Sequence, residues 1–198
     1  SSDFIIEAAM EDLNVKREIF QKLDSMLSPT AILATNTSSL SITSIAATTK
    51  RPDKVVGMHF FNPPPLMKLV EVIAGKHTSG ATVVATMDLA LAMGKTPVAC
   101  ADTPGFIVNR VARPFYGEAL RLLGEGVASV EDIDRIVTRE GGFKMGPFEL
   151  MDLIGIDINY AVTKSVYEQF FQEPRFRPHP IQRQMVEAGT LGRKTKKG

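Results

Sequence analysis

Short apolar runs alternate with longer amphipathic stretches over the first hundred residues of the chain. The apolar runs are rich in valine, isoleucine, leucine and phenylalanine, which favour β-strands. Strands are predicted over residues 3–8, 31–36, 55–61, 68–73 and 96–101, and helices over residues 12–26, 41–48 and 80–93. Strands that alternate with helices in this way are typical of an α/β sheet whose strands are mostly parallel.

After the fifth strand the pattern is wholly helical. Helices are predicted over residues 106–123, 130–139, 147–154, 158–171 and 180–188. Ser129 and Asp132 match a capping box for the second of these helices, and Asp157 is expected to cap the fourth. The chain is therefore expected to divide into an α/β part, residues 1–102, and a helical part, residues 103–198.

Composition and charge narrow the class of protein. The 198 residues are 44% hydrophobic and 23% charged, which is an ordinary globular composition. A formal net charge of +1 gives no field suited to nucleic acid or to an anionic membrane, so neither partner is expected. The sequence has no apolar run of membrane-spanning length and no signal-peptide pattern, which favours a cytoplasmic protein.

Cysteine and histidine usage argues against a metal site. The single cysteine, Cys100, excludes an intrachain disulfide and fits a reducing compartment. It lies in a predicted strand, where a buried, small apolar role is favoured over a catalytic thiol. The three histidines, His59, His77 and His179, are far apart in sequence and show no ligand spacing, so no metal is expected.

One segment, residues 57–73, carries a histidine and a carboxylate on two apolar runs around a proline-rich break, GMHFFNPPPLMKLVEVI. The six residues between the two runs are too few for the crossover that parallel strands need, so strands that pair directly must be antiparallel. A turn centred on Pro64 and Pro65 would set His59 opposite Glu71, with Cβ atoms about 5 Å apart. A carboxylate there orients the imidazole and favours its protonated form, which suits a general base. The alternative is a cross-strand ion pair that only stabilises the sheet.

The glycine-rich turn of a dinucleotide-binding unit is not found in the sequence. Such a unit opens with a strand, a GxGxxG turn and a helix whose N-terminus holds the pyrophosphate. Gly124 and Gly126 follow a predicted helix, and they are interpreted as its C-cap and a linker. Because the chain begins on a strand and ends after a basic turn, it is expected to be part of a longer protein.

Two further polar residues lie next to predicted elements. Ser38 follows the second strand, at the edge of an open α/β sheet where ligands bind, and Asn109 lies on the first helix of the helical part. Taken singly, Ser38 could be a helix-capping or turn residue, and Asn109 a packing amide with satisfied hydrogen bonds.

Five segments, among them those with Ser38, His59, Glu71 and Asn109, resemble the L-3-hydroxyacyl-CoA dehydrogenase family, in order and with matching spacing over essentially the whole chain. They are ATNTSSLSIT (34–43), GMHFFNP (57–63), MKLVEV (67–72), DTPGFIVNR (102–110) and MGPFELMDLIG (145–155). The stretch RVARPFYGEALRLL (110–123) and the tail from residue 176 are similar to the bacterial 3-hydroxybutyryl-CoA and phenylacetate-pathway branch.

This resemblance implies a fold and an activity. The fold would be a partial Rossmann-like sheet, with antiparallel strands near 68–73 and 96–101, followed by an all-helical dimerisation domain. The activity would be the NAD-dependent interconversion of an L-3-hydroxyacyl-CoA and a 3-ketoacyl-CoA, a step of fatty acid β-oxidation, with NADP left open. The implied partners are an acyl-CoA substrate and a second copy of the chain, which would form a homodimer through the helical domain.

The resemblance also implies site residues. His59 matches the catalytic base and Glu71 the carboxylate paired with it, while Ser38 and Asn109 match the polar residues at the substrate C3 oxygen. The positions that match cofactor contacts are Glu11, Lys16, Ser38, Asn62 and Lys194. Without the resemblance, Glu11 and Lys16 would be interpreted as part of a solvated helix face.

Some readings of the sequence stay open. A related β-hydroxyacid or gulonate-type dehydrogenase would share the sheet, the helices and the His–Glu pair. A non-catalytic dimerisation or structural module is the second alternative. Because the glycine turn that would hold the pyrophosphate is absent, the 198-residue chain by itself is expected to bind NAD no more tightly than millimolar and to be catalytically silent.

Overall fold

The chain forms two compact units in the computed structural model, which describes residues 2–198. The first unit ends at Ile107, and the second comprises Val108–Gly198. The domain boundary expected at residue 102 stays a prediction. The two units are defined by the contacts within them, and such contacts do not show that each unit folds independently.

The first unit contains one five-stranded sheet with strand order β1-β2-β3-β4-β5. The strands are β1 (Phe4–Glu7), β2 (Ile32–Thr35), β3 (Val55–Phe60), β4 (Leu69–Ala74) and β5 (Thr96–Ala101). The pairs β1·β2, β2·β3 and β4·β5 are parallel, and β3·β4 is antiparallel. The predicted fold class is confirmed, because the last two strands run against the first three.

Three helices cover this sheet, and each begins where a polar side chain accepts backbone N–H bonds. They are α1 (Leu13–Met26), α2 (Ile42–Ala46) and α3 (Gly80–Ala92). Asp12, Ser41 and Ser79 are the respective capping residues. Such side chains satisfy N–H groups that have no partner within the first turn of a helix.

Successive residues of the strands point to opposite faces of the sheet and build a core on each face. On one face Leu33, Val55 and Ile73 pack with side chains of α1 and α2. On the other face the neighbouring residues pack with α3, and they include Ala34, Val56 and Val72. Since His59 and Glu71 lie an even number of residues from Val55 and Ile73, both side chains face the α1 and α2 side.

Gly57 lets α2 approach β3 beside His59. A Cβ atom at this position would lie 2.8 Å from Cδ1 of Ile42 and 2.8 Å from Cβ of Ile73, closer than real Cβ contacts. The glycine in GMHFF is therefore required by packing on the same face as the histidine.

The second unit is helical, as predicted. Its helices are α4 (Val108–Gly124), α5 (Val130–Arg139), α6 (Pro147–Ile154), α7 (Ile156–Gln169) and α8 (Pro180–Glu187). Tyr116, Leu120, Met151 and Ile156 form its buried core. Helix α4 ends at Gly124, and Gly126 has a positive φ of 70°, as expected for residues that end a helix.

Two capping predictions need correction. Helix α7 begins at Ile156 with Gly155 as its N-cap, so Asp157 lies in the first turn and does not cap the helix. Gly155 has a φ of 103°, which suits glycine and lets one residue end α6 and begin α7. Ser129 caps α5 through the N–H of Asp132, but the Asp132 carboxylate accepts the Ser129 hydroxyl, so the reciprocal half of the capping box is not formed.

Candidate active site

His59 and Glu71 form a buried pair on adjacent antiparallel strands. The register sets His59 opposite Glu71, which confirms the pairing predicted from the short connection. Nδ1 of His59 lies 2.8 Å from Oε2 of Glu71, and the two residues are only 4% and 1% exposed. Because Nδ1 faces the carboxylate, Nε2 is the ring nitrogen that can take a proton from a substrate.

The other carboxylate oxygen of Glu71 is also held. Its Oε1 accepts a 2.9 Å hydrogen bond from the backbone N–H of Ile107. Gly105 and Phe106 precede this amide with positive φ angles of 75° and 48°. A left-handed conformation is costly for phenylalanine, so packing around Phe106 must maintain the turn that presents the Ile107 amide to Glu71.

Aromatic rings and an asparagine surround His59. The His59 ring centroid lies 4.6 Å from that of Phe61 and 5.8 Å from that of Phe106, both tilted. Oδ1 of Asn36 accepts a 2.8 Å bond from the N–H of Phe60, which fixes the end of β3 next to the histidine. Asn36 was missed from the sequence, although it directly follows β2, where polar residues meet ligands in open sheets.

The loop that contains Ser38 is shaped by one carboxylate. Oε1 of Glu11 accepts bonds from the Thr37 hydroxyl at 2.6 Å, from the Ser38 N–H at 2.7 Å and from the Ser39 N–H at 3.0 Å. The Glu11 side chain remains 39% exposed. The solvated-helix reading of this residue is therefore wrong, because Glu11 lies before α1 and is engaged with the loop.

Lys16 is completely buried, which also contradicts the solvated-helix reading. Its Nζ lies 2.8 Å from Oε1 of Glu7, 3.2 Å from the Ala9 carbonyl and 3.8 Å from Oε2 of Glu11. Glu7 was not among the residues expected at the site. The available signal was a lone carboxylate at the end of an apolar strand, IIE, which needs a partner if it is buried.

The remaining predicted residues are spread over both units. Asn62 is exposed in the β3–β4 connection, shortly after His59. Asn109 lies in the first turn of α4, where its carbonyl accepts a 3.1 Å bond from Nε of Arg113. Lys194 lies in a short 3₁₀ turn of the second unit, and its Nζ pairs with Oδ1 of Asp157 at 2.5 Å. This ion pair lowers the pKa of Asp157, chiefly through the hydrogen bond from Lys194.

Six of the predicted residues thus lie in the first unit, where the structure brings together two sets. His59 and Glu71 form one, and Glu11, Lys16 and Ser38 form the other. The carboxyl ends of β1, β2 and β3 share one edge of the sheet, because these strands are parallel. Both sets lie at this edge, where open α/β sheets bind ligands.

Neither a reactive thiol nor a metal site is indicated among the described residues near this edge. Burial, together with the charges of Glu71 and Asp102, raises the pKa of the Cys100 thiol to about 12, so the thiolate nucleophile is scarce. Within residues 2–198, no group of three histidine, cysteine, aspartate or glutamate side chains could hold a metal ion.

No helix in the described part of the chain is long and apolar enough to cross a membrane.

Two family descriptions match the chain. Residues 1–103 match the NAD binding domain of 3-hydroxyacyl-CoA dehydrogenase, and residues 105–198 match the C-terminal domain of the same family.

Three curated relatives are similar over nearly the whole chain. The chain is 53% identical to the 3-hydroxyadipyl-CoA dehydrogenase of Escherichia coli K12, over 98% of its own length and 41% of the relative's. It is 49% identical to the 3-hydroxybutyryl-CoA dehydrogenase of Clostridioides difficile, over 99% and 69% of the two lengths. It is 46% identical to the mitochondrial hydroxyacyl-coenzyme A dehydrogenase of Sus scrofa, over 100% and 63%. The chain therefore spans about two fifths to two thirds of these relatives.

Solved structures show the same likeness. A 3-hydroxybutyryl-CoA dehydrogenase from Escherichia coli K12 superposes with a TM-score of 0.98 at 52% identity, over all of this chain and 42% of that one. The (S)-3-hydroxybutyryl-CoA dehydrogenase PaaH1 from Ralstonia eutropha superposes with a TM-score of 0.96 at 45% identity, over all of this chain and 69% of that one.

Proposed function

Since the chain belongs to the 3-hydroxyacyl-CoA dehydrogenase family, we propose that the full-length protein oxidises an L-3-hydroxyacyl-CoA to the 3-ketoacyl-CoA and catalyses the reverse reduction. The observation that carries this proposal is the buried pair of His59 and Glu71 at 2.8 Å. It lies at the sheet edge where such folds bind their ligands.

In this mechanism His59 is the general base. Its Nε2 takes the proton of the C3 hydroxyl, and Glu71 stabilises the imidazolium that forms and fixes the ring tautomer. Bound NAD supplies the acceptor for the hydride that leaves C3. Ser38 and Asn109 are assigned to hydrogen bonds at the C3 oxygen, where negative charge grows as the proton leaves.

The surroundings of the pair support this role. The rings of Phe61 and Phe106 lie against the imidazole, and His59 is only 4% exposed. A lower local dielectric strengthens the interaction between the imidazolium and the Glu71 carboxylate. The Ile107 amide holds the second carboxylate oxygen, so Glu71 can keep its orientation while His59 changes charge.

The residues at the sheet edge fit the ribose and nicotinamide part of NAD. The partly exposed Glu11 carboxylate can accept bonds from ribose hydroxyls, and the exposed Asn62 can donate to or accept from polar groups nearby. We assign Ser38 and, from the second unit, Lys194 to the same cofactor. NAD is preferred over NADP because the matched family domain is described as NAD binding.

The assembly and the metabolic setting are proposed as well. We propose a homodimer through the second unit, because several of its large apolar side chains are exposed. They are Val111, Val127, Ile136, Phe143, Leu153, Ile158 and Phe171. We further assign the enzyme to β-oxidation-type metabolism of short acyl chains, since two of the similar proteins are named for 3-hydroxybutyryl-CoA and 3-hydroxyadipyl-CoA.

A substrate pair tests the proposal. The full-length protein should oxidise NADH in the presence of acetoacetyl-CoA, with a much lower rate for free acetoacetate at the same concentration. The two compounds share the reacting 3-keto group and differ in the CoA part, whose binding energy contributes to the rate. Equal rates for both compounds, or a preference for the free acid, would support a β-hydroxyacid dehydrogenase. A parallel assay with NADPH decides between the two cofactors.

A further inference from the structure

A cluster of buried polar residues lies beneath the Ser38 loop. We define the Glu7 cluster as Glu7, Lys16 and Thr35, together with the Glu11 carboxylate that borders it. Glu7 is the last residue of β1 and is 6% exposed, while Lys16 and Thr35 are fully buried. Burying charged groups is costly unless they are paired and hydrogen-bonded, so such a cluster needs a physical reason.

Glu7 is the centre of the cluster. Its Oε1 accepts bonds from the Ala9 N–H at 2.5 Å and from Nζ of Lys16 at 2.8 Å. Its Oε2 accepts from the Thr35 hydroxyl at 2.7 Å and lies 3.1 Å from Nζ of Lys16. The carboxylate therefore joins the end of β1, the end of β2 and the first half of α1.

The Lys16 ammonium is committed to protein partners. An ammonium group has three protons to donate. Both carboxylate oxygens of Glu7 and the carbonyl of Ala9 accept from it, and Oε2 of Glu11 lies at an ion-pair distance of 3.8 Å. Lys16 is fully buried, and of its two carboxylate neighbours Glu11 is the one that reaches the surface.

We propose that Glu7 and Lys16 are positioning residues that fix the Glu11 carboxylate and, through it, the backbone of the Ser38 loop. This inference rests on the proposed function, and it gives Lys16 a positioning role in addition to the cofactor contact that the resemblance implies. Lys16 attracts Oε2 of Glu11, which leaves Oε1 to accept the N–H groups of Ser38 and Ser39 at 2.7 and 3.0 Å.

The charges predict a direction for the effect of a variant. Lys16 lies between two carboxylates, and among the described residues these are its only ion-pair partners within 4.0 Å. Replacing Glu7 by neutral glutamine would leave Glu11 as the sole carboxylate near a buried ammonium. The ammonium would then draw Glu11 inward and weaken the bonds that its Oε1 accepts from the Ser38 and Ser39 N–H groups, while the Ser39 N–H keeps its 3.4 Å bond to the Thr37 hydroxyl.

The alternative role is a purely structural ion pair. Replacing both members of a buried ion pair by neutral side chains of similar size often restores stability, whereas removing one member is costly. The double variant Glu7→Gln/Lys16→Met therefore separates the two roles. It removes the uncompensated charge but does not restore the attraction that orients Glu11.

The experiment measures amide hydrogen exchange at Ser38 and Ser39 together with kcat and KM in the full-length protein. We expect Glu7→Gln and the double variant to speed exchange at these two amides by about tenfold or more. We also expect kcat/KM to fall by about 10- to 100-fold, since displacement of a site by about 1 Å has effects of this size. The double variant should regain most of the thermal stability, but neither the slow amide exchange nor the kcat/KM of the wild type.

A matched control lies at the other end of α1. Asp24 pairs with Arg51 at 2.6 Å, and both side chains are nearly buried. Asp24→Asn breaks a buried ion pair on the same helix, so it should lower the melting temperature and leave Ser38 exchange and kcat/KM unchanged. If Glu7→Gln does not fold, Thr35→Val takes its place, because it removes one donor to Glu7 and keeps the side-chain shape.

Wild-type exchange rates and a wild-type kcat/KM in the double variant would overturn the positioning role. Exchange at Ser38 and Ser39 that is no faster in Glu7→Gln than in Asp24→Asn would overturn it as well. The exchange measurement needs no catalytic activity. A wild-type protein without dehydrogenase activity would therefore refute the proposed function and leave the exchange result to decide the role of Glu7 and Lys16.

Discussion

Glu71 is held at both carboxylate oxygens, by the His59 ring at 2.8 Å and by the backbone N–H of Ile107 at 2.9 Å. Its partnership with His59 followed from strand composition and a connection of six residues, since these allow only an antiparallel pairing. The bond from the Ile107 N–H depends on the left-handed turn at Gly105 and Phe106, and no local pattern predicts phenylalanine in that conformation.

Gly57 gives a residue-scale prediction about stability. Gly57→Ala should lower the free energy of unfolding by about 1 to 3 kcal/mol, because the new methyl group overpacks against Ile42 and Ile73. Urea denaturation measures this difference. Gly80→Ala is the matched control, since a Cβ at Gly80 meets nothing within 4 Å and alanine favours the helix that begins there. Equal stability of Gly57→Ala and the wild type would contradict the packing argument.

At the scale of elements, most strands and helices could be predicted because their hydrophobic periods are clear and their ends carry capping residues. The start of α7 was misplaced because Gly155 serves two helices, and a two-residue shift of this kind depends on backbone geometry. The buried position of Lys16 also escaped prediction. Sequence patterns place a lysine on a helix, but only the tertiary structure places Glu7 against it.

His179 gives an element-scale prediction about pH. It caps α8 by accepting the Ile181 N–H at Nδ1, and burial, aided by the charge of Arg121, lowers its pKa below the ordinary 6.5. The folded protein therefore binds this proton less well than the unfolded chain. The resulting stability is fully present above about pH 6.5 and is lost as the pH falls through the folded-state pKa.

The test replaces the titrating cap by one that does not titrate. His179→Asn keeps a side-chain acceptor at the N-cap, so its unfolding free energy should vary less between pH 7 and pH 5. Between pH 7 and pH 5, the unfolding free energy of the wild type should fall by up to about 1 kcal/mol more than that of the variant, because a helix cap typically contributes this much to stability. Denaturant titrations at several pH values measure the difference, and parallel curves for both proteins would rule out the role of His179.

At the scale of the whole molecule, the second unit carries the features that suggest assembly. Its helices were predictable from amphipathic spacing, and this spacing also showed more apolar residues than a small helical unit buries by itself. The sequence could not show which of them remain at the surface. The structure leaves Val111 of α4 and Ile158 of α7 exposed.

We expect the full-length protein to be a homodimer in solution. Val111→Asp combined with Ile158→Asp should give a monomer, because charged groups disfavour burial in a two-fold interface. Val84→Asp combined with Leu91→Asp is the control, since these residues are exposed on α3 of the first unit. Light scattering at micromolar concentration measures the mass. A monomeric wild type would exclude the dimer. Dissociation caused by the α3 variant alone would place the interface on the first unit.

If His59 and Glu71 act together as the catalytic base that we propose, a double-mutant cycle will show it. The cycle measures kcat for acetoacetyl-CoA reduction in the wild type, His59→Gln, Glu71→Gln and the double variant, with folding checked by melting temperature. His59→Gln should lower kcat by about two to four orders of magnitude, the usual worth of general acid–base catalysis. Glu71→Gln should also be slow, and the double variant should be little slower than His59→Gln, because residues that act as a unit are not additive. A His59→Gln enzyme as fast as the wild type would show that His59 is not the base, and losses in kcat that simply multiply would show that the two residues act independently.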